Sequence, residues 1–135
     1  MKFTTAVEVN EKHVDRMQHA NHVEIARFAE LGRVNWLKTC GLYSDSSDDS
    51  GLSFYGSVVV RIEYNYRREC LLGEELCIVT QPERLGHKSY RIFHEIIKPD
   101  GSIAVDGTVT SVIMDMRTRT IIKVPDNIAR CFPCD

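Results

Sequence analysis

At 135 residues, 43% hydrophobic and 27% charged, the chain has the composition of one globular domain with a core of its own. A formal charge of −2 excludes broad electrostatic attraction to nucleic acid or an anionic membrane, and no apolar run reaches the ~18 residues of a membrane span. Glu8, Glu11 and Lys12 stand where a secretory leader needs an apolar core, so a cytoplasmic location is expected.

Thr4 to Val9 are apolar and β-branched enough for a first strand. The stretch "VDRMQHANHVEIARFAELGR", Val14 to Arg33, then sets an acid, two histidines and an asparagine directly ahead of an apolar helix. From about His22 to Lys38, Val23, Ile25, Ala26, Phe28, Ala29, Leu31, Val34, Trp36 and Leu37 leave a narrow polar stripe of Glu24, Arg27, Glu30 and Arg33. Such a helix is expected to be mostly buried. Ala26, Ala29 and Gly32 recur every three residues, a line of small side chains that lets the helix axis approach a sheet. Gly41 is the expected C-terminal cap, and "CGLYSDSSDDSGLS" reads as an exposed loop.

Everything after that loop reads as strand. Val58, Val60, Ile62, Tyr64 and Tyr66 alternate with Arg61, Glu63 and Asn65, the period of a sheet with one covered face. "ELCIVTQ", "SYRIFHEII" and "IAVDGTVTSVIMDM" follow, divided by "RLGHK" and the turn signal "KPDG". With no helical segment between them they predict an antiparallel meander, with Val124 and Pro125 leading into a short tail. One helix of ~17 residues spans ~26 Å, close to the ~33 Å of a ten-residue strand, but cannot cover a five-strand sheet. Edge pairing between copies, giving a homodimer or homotetramer, is therefore expected.

The five cysteines, odd in number and scattered, fit reduced thiols. "CFPC" at Cys131 to Cys134 lacks a second ligand pair and the context of a redox motif, and is read as incidental. His13, His19 and His22 lack the carboxylate or cysteine array of a metal site, so no metal is expected.

Asp15, Met17, His19 and Asn21, followed by Glu30 and Arg33, resemble the pattern of the hotdog-fold acyl-CoA thioesterases of the 4-hydroxybenzoyl-CoA thioesterase type. "RIEYNYRRE", "RLGHKSYRIFHEI" and "DGTVTSVIMDMRTRTIIKVP" extend the resemblance over almost the whole chain. It implies an α+β hotdog fold over residues 1–135: one long central helix wrapped by a curved antiparallel sheet of about five strands. It also implies hydrolysis of an acyl thioester to free acid and coenzyme A, with no cofactor beyond the substrate's own coenzyme. Gln18, Ala20, His22 and Ile25 depart from the usual residues, Gln18 standing where glycine is common.

By position the resemblance implies Asp15 as nucleophile or general base and the backbone amide of His22 as oxyanion donor. The first turn of a helix has unpaired N–H groups at the positive end of its dipole, which suits an oxyanion. His19 is expected to hold the loop and Asn21 to cap the helix. Among the basic pairs, Arg67 with Arg68, Arg84 with Lys88, and Arg117 with Arg119, the hairpin group Arg84, His87, Lys88 and Ser89 is the favoured coenzyme site, presented beside a neighbouring active site. Two alternatives stand beside hydrolysis: a hotdog hydratase or dehydratase, and a non-catalytic acyl-thioester binding module.

Overall fold

The computed structural model describes residues 2–42 and 54–133. The expected loop from Tyr43 to Ser53, and Cys134 of "CFPC", lie outside the described residues. Strands β1 (Phe3–Glu8), β2 (Tyr55–Tyr66), β3 (Glu75–Leu85), β4 (Ser89–Ile97), β5 (Ile103–Asp115) and β6 (Thr120–Ile122) form one antiparallel sheet, with helices α1 (His22–Thr39) and α2 (Asp126–Ala129).

Helix α1 begins where Asn21 Oδ1 accepts the amides of Val23 (3.0 Å) and Glu24 (3.2 Å). It ends with Gly41 just beyond the cap at φ +98°, the left-handed turn that lets Leu42 N–H bond Leu37 O at 2.9 Å. The helix lies on β1, β3 and β4. Gly32 is what allows the close approach: a Cβ there would stand 2.6 Å from Thr80 Oγ1 and 3.0 Å from Ile78 Cγ2.

The core divides into two clusters along this helix. Near its C-terminus Trp36, Leu37 and Leu42 pack with Tyr90, Ile92, Ile113, Val124, Ile128 and Phe132. Near its N-terminus Ile25 and Phe28 pack with Val9, Ala20, Cys70, Ile78, Ile96 and Val105. Between the clusters lies a polar layer: Arg33 Nη1 donates to Tyr64 OH (3.1 Å) and to His94 Nε2 (3.2 Å). The expected polar stripe is thus corrected, since Arg33 is buried while Val23 and Leu31 are exposed.

The sheet also differs from a simple meander. Its order is β1-β3-β4-β5-β2, so β3, β4 and β5 form the meander and β2 crosses to the far side of β5. There β2 meets α1 through the Tyr64 hydroxyl, and Val58, Val59, Val60, Ile62 and Tyr66 are exposed instead of showing one covered face. Alternating hydrophobicity reports which side chains seek cover, and among the described residues β2 finds little of it within one protomer.

The segment after Pro125 is part of the core rather than a loose tail. Ile128 is fully buried, and the Phe132 ring stands edge-on to Trp36 (5.8 Å) and Tyr90 (6.0 Å). The Cys40 thiol donates to Cys131 Sγ at 2.9 Å, so Cys131 has a structural contact. Within "CFPC" it is Phe132 that carries the packing.

Candidate active site

The approach to α1 is built from short local bonds. Asn10 accepts from Lys12 N–H and caps a 3₁₀ turn at Glu11–His13, and His13 Nδ1 accepts the Asn10 amide at 3.0 Å. The His13 ring stands edge-on to Phe28 at 4.9 Å, which occupies it as a structural group.

Asp15 then makes a tight turn. Its Oδ1 accepts the Met17 amide at 2.8 Å and its carbonyl accepts the Gln18 amide at 2.9 Å. Gln18 closes this turn at φ +61°, so the left-handed conformation is kept although the residue is not glycine. The next residues are stitched to a distant segment: Ala20 N–H bonds Cys70 O (2.9 Å) and Leu72 N–H bonds Gln18 O (3.2 Å). His19 adds a side-chain link, its Nδ1 lying 2.8 Å from Glu69 Oε1.

These connections bring His19, Asn21 and His22 into the wall of one cavity of about 410 Å³. Ile25, Tyr66 and Val105 make its apolar surfaces, and Arg67, Arg68 and Glu69 bring charge. Asn21 Oδ1 takes the amides of Val23 and Glu24, while among the described residues none accepts from the amide of His22, the first residue of α1. An unpaired donor at the positive end of an eighteen-residue helix therefore borders the cavity. The Asp15 carboxylate is exposed in the turn that leads to this wall and is not part of the lining.

The cavity's cations differ. Arg67 forks onto Asp106, Nε to Oδ2 at 2.9 Å and Nη2 to Oδ1 at 3.2 Å, and this partner holds the Asp106 carboxyl below its ordinary range. Arg68 has no ion pair among the described residues.

The hairpin group stands elsewhere. Arg84 and Ser89 line a separate cavity of about 210 Å³ with Gly86, Tyr90, Arg91 and Thr110, and His87 accepts Val124 N–H through its carbonyl. Tyr90 belongs to the cluster at the C-terminal end of α1, so Arg84, His87, Lys88 and Ser89 sit at the opposite end of the protomer from His22. Sequence reasoning did not single out Glu69, which pairs with a residue fifty positions away. No local spacing carries that contact.

Three comparisons bear on this arrangement. The sequence profile of the thioesterase-like superfamily matches residues 9–132. The chain is 32% identical over 121 residues to the long-chain acyl-CoA thioesterase FadM of Escherichia coli strain K12, covering 89% of each chain. Among solved structures, the probable thioesterase YbaW from Escherichia coli superposes with a TM-score of 0.79 at 27% identity, over 96% of this chain and 98% of that one. The Staphylococcus aureus protein SAV2348, solved in complex with CoA, superposes with a TM-score of 0.85 at 16% identity, over 100% and 88% of the two chains. With its helix wrapped by a curved antiparallel sheet, this chain has the hotdog fold and belongs to the thioesterase-like superfamily, the thioester hydrolases.

Proposed function

We propose that the protein hydrolyses fatty acyl thioesters of coenzyme A, using Asp15 and the amide of His22. The observation that carries this reading is the His22 amide at the head of α1, unpaired among the described residues and bordering a cavity with apolar walls and two arginines. A thioester carbonyl placed there would have its developing oxyanion met by a fixed donor and the helix dipole. Asp15 then acts in one of two ways. Its carboxylate adds to the carbonyl carbon and expels the thiolate, leaving an anhydride that water cleaves, or it takes a proton from a water that adds directly. Its Oδ1 already accepts the Met17 amide, which orients the carboxylate in either case. Coenzyme A leaves readily as thiolate, and the reaction needs only water beside the substrate.

His19, tied to Glu69, holds the loop that carries Asp15, and Asn21 holds the helix end. The resemblance to the 4-hydroxybenzoyl-CoA type speaks for this chemistry. For the acyl group, the relative named a long-chain acyl-CoA thioesterase and the walls of Ile25, Tyr66 and Val105 favour an aliphatic chain.

We place the site within a homodimer or homotetramer. The exposed β2 edge supplies the surface, and only a second copy can bring Arg84, His87, Lys88 and Ser89 toward the substrate's phosphates. Arg67 and Arg68 already border the cavity from the same protomer.

A panel of acyl-CoA esters from C4 to C18 with detection of released thiol tests the reading. Saturable thiol release is expected. Loss of crotonyl-CoA absorbance without thiol would instead establish a hydratase, and tight binding without turnover a binding module.

A further inference from the structure

Arg33 is a buried cation without a carboxylate partner among the described residues, only 8% exposed. A guanidinium taken out of water at such a depth is costly unless an anion or several acceptors meet it. Its acceptors, Tyr64 OH and His94 Nε2, are both neutral and both meet Nη1. His94 donates from Nδ1 to Val79 O (3.2 Å), which leaves Nε2 as the acceptor. Burial, reinforced by Arg33, pushes the His94 imidazole down to about 4, so Arg33 carries this layer's charge at neutral pH. The Nε and Nη2 groups have no hydrogen bond within the described residues and are not sealed inside protein.

Arg33 lines a groove of about 260 Å³ between α1 and β2, with Ala26, Val34, Leu37, Val59 and Ile62 as apolar walls. This groove follows the candidate active site along the same seam, since Ile25 and Tyr66 line the first cavity and Ala26 and Ile62 the second. From His22 to Arg33 the helix rises ~17 Å, at 1.5 Å per residue. With C–C bonds of ~1.5 Å in a staggered chain, about a dozen carbons cover most of that distance. A helical arginine leaning toward the helix N-terminus closes the remainder.

We propose that the groove takes the far end of an acyl chain bearing a terminal carboxylate, with the Arg33 fork as its partner, so that the enzyme accepts dicarboxylic acyl thioesters. This rests on the thioesterase reading above. Free N–H groups on one edge of a guanidinium match the two oxygens of a carboxylate, and apolar walls exclude competing water. Glu30 also lines the groove, on the exposed side of α1, and opposes an incoming anion. Its neutralisation therefore strengthens the site.

The test compares dodecanoyl-CoA with the mono-CoA ester of dodecanedioic acid, and calorimetry of the two matching non-hydrolysable thioethers. The wild type should favour the carboxylated chain ~10-fold or more in kcat/KM, from one charge-assisted contact. Arg33→Met should abolish that preference through KM, and Glu30→Gln should raise it. Where Arg33→Met fails to fold, Arg33→Lys keeps the charge without the fork and should lose at least half of the preference. A wild type that favours the methyl-ended chain, or a preference unchanged in the Arg33 variant, overturns the proposal. Hydrolysis of neither ester refutes the thioesterase reading instead, and the thioether affinities then still decide the Arg33 site.

Discussion

Arg33 Nη1 stands 3.2 Å from Nε2 of His94, a buried cation donating to a buried imidazole that has to stay neutral. Unfolding restores the ordinary histidine value near 6.5, while in the fold it lies at about 4. The unfolded chain therefore binds the extra proton between these values, and stability present above pH ~6.5 is lost as pH falls toward ~4. At 1.36 kcal/mol per unit this amounts to about 3 kcal/mol. Chemical denaturation at pH 7.5 and 4.5 should show the loss. In His94→Gln the slope across that window should flatten, and an unchanged slope would assign the acid sensitivity to other groups.

Gln18 holds φ +61° in the turn that carries Asp15. A residue with a Cβ in that region costs about 1–2 kcal/mol, whereas glycine adopts it freely but loses more unfolded-state entropy. The first effect wins where φ is positive, so Gln18→Gly should stabilise by about 0.5–1 kcal/mol and leave turnover near wild type. Gln18→Val should cost at least about 1 kcal/mol and slow turnover by displacing Asp15. Equal melting temperatures for the two variants would show that the turn does not constrain this position.

Phe132 packs edge-on against Trp36 and Tyr90 and is 6% exposed. Truncating a buried phenylalanine typically costs about 3–5 kcal/mol, so Phe132→Ala should lower the melting temperature by well over 5 °C for a chain of this length. Cys131→Ser should cost less, since it keeps a polar group opposite Cys40. A Phe132→Ala protein as stable as wild type would return the segment to the status of a dispensable tail.

What was legible in the sequence had a local cause. Helix α1 was readable within a residue because Asn21 and Gly41 mark its two ends, and the helix-to-sheet contact because Gly32 continues the line of small residues from Ala26 and Ala29. The loop role of His19 and the cap role of Asn21 were also within reach. The crossing of β2 to the far side of β5 was hidden, because alternation records exposure along one strand and not its neighbour. Glu69 and His94 were missed for a related reason: each acquires its role from a residue fifty or more positions away. Arg33 was misplaced because a period of three cannot separate a solvated arginine from one that turns into a polar layer.

β2 exposes Val58, Val59, Val60 and Ile62 beside a bulge between Val59 and Arg61. An apolar edge left unpaired among the described residues recruits another strand, and a second copy supplies one. Light scattering should give a mass of at least twice 15.4 kDa. Val60→Lys, placing like charges near one another in a two-fold pairing, should shift the equilibrium toward monomer and reduce turnover with it. A monomeric wild type with full activity would refute the shared site.

Asp15 and Glu69 both belong to the segments that lead to the head of α1, and their contacts separate their roles. Glu69 bonds His19, so Glu69→Gln weakens a tether and should lower kcat by about tenfold or less, with a measurable fall in melting temperature. Among the described residues the Asp15 carboxylate bonds only the Met17 amide of its own turn, and Asp15→Asn keeps that acceptor while removing the charge. Its loss should therefore appear in the chemistry and not in the fold. A positioned acid or base contributes ~10²- to 10⁴-fold, so kcat should fall at least ~100-fold. KM should change little, since the phosphates and the acyl chain are held elsewhere. Melting temperature should stay level or rise, because a functional charge is often kept at some expense in stability. If Asp15→Asn folds normally and turns over its best substrate within about threefold of wild type, the carboxylate is only a turn-former, and Glu30 and Glu63 become the acids to test.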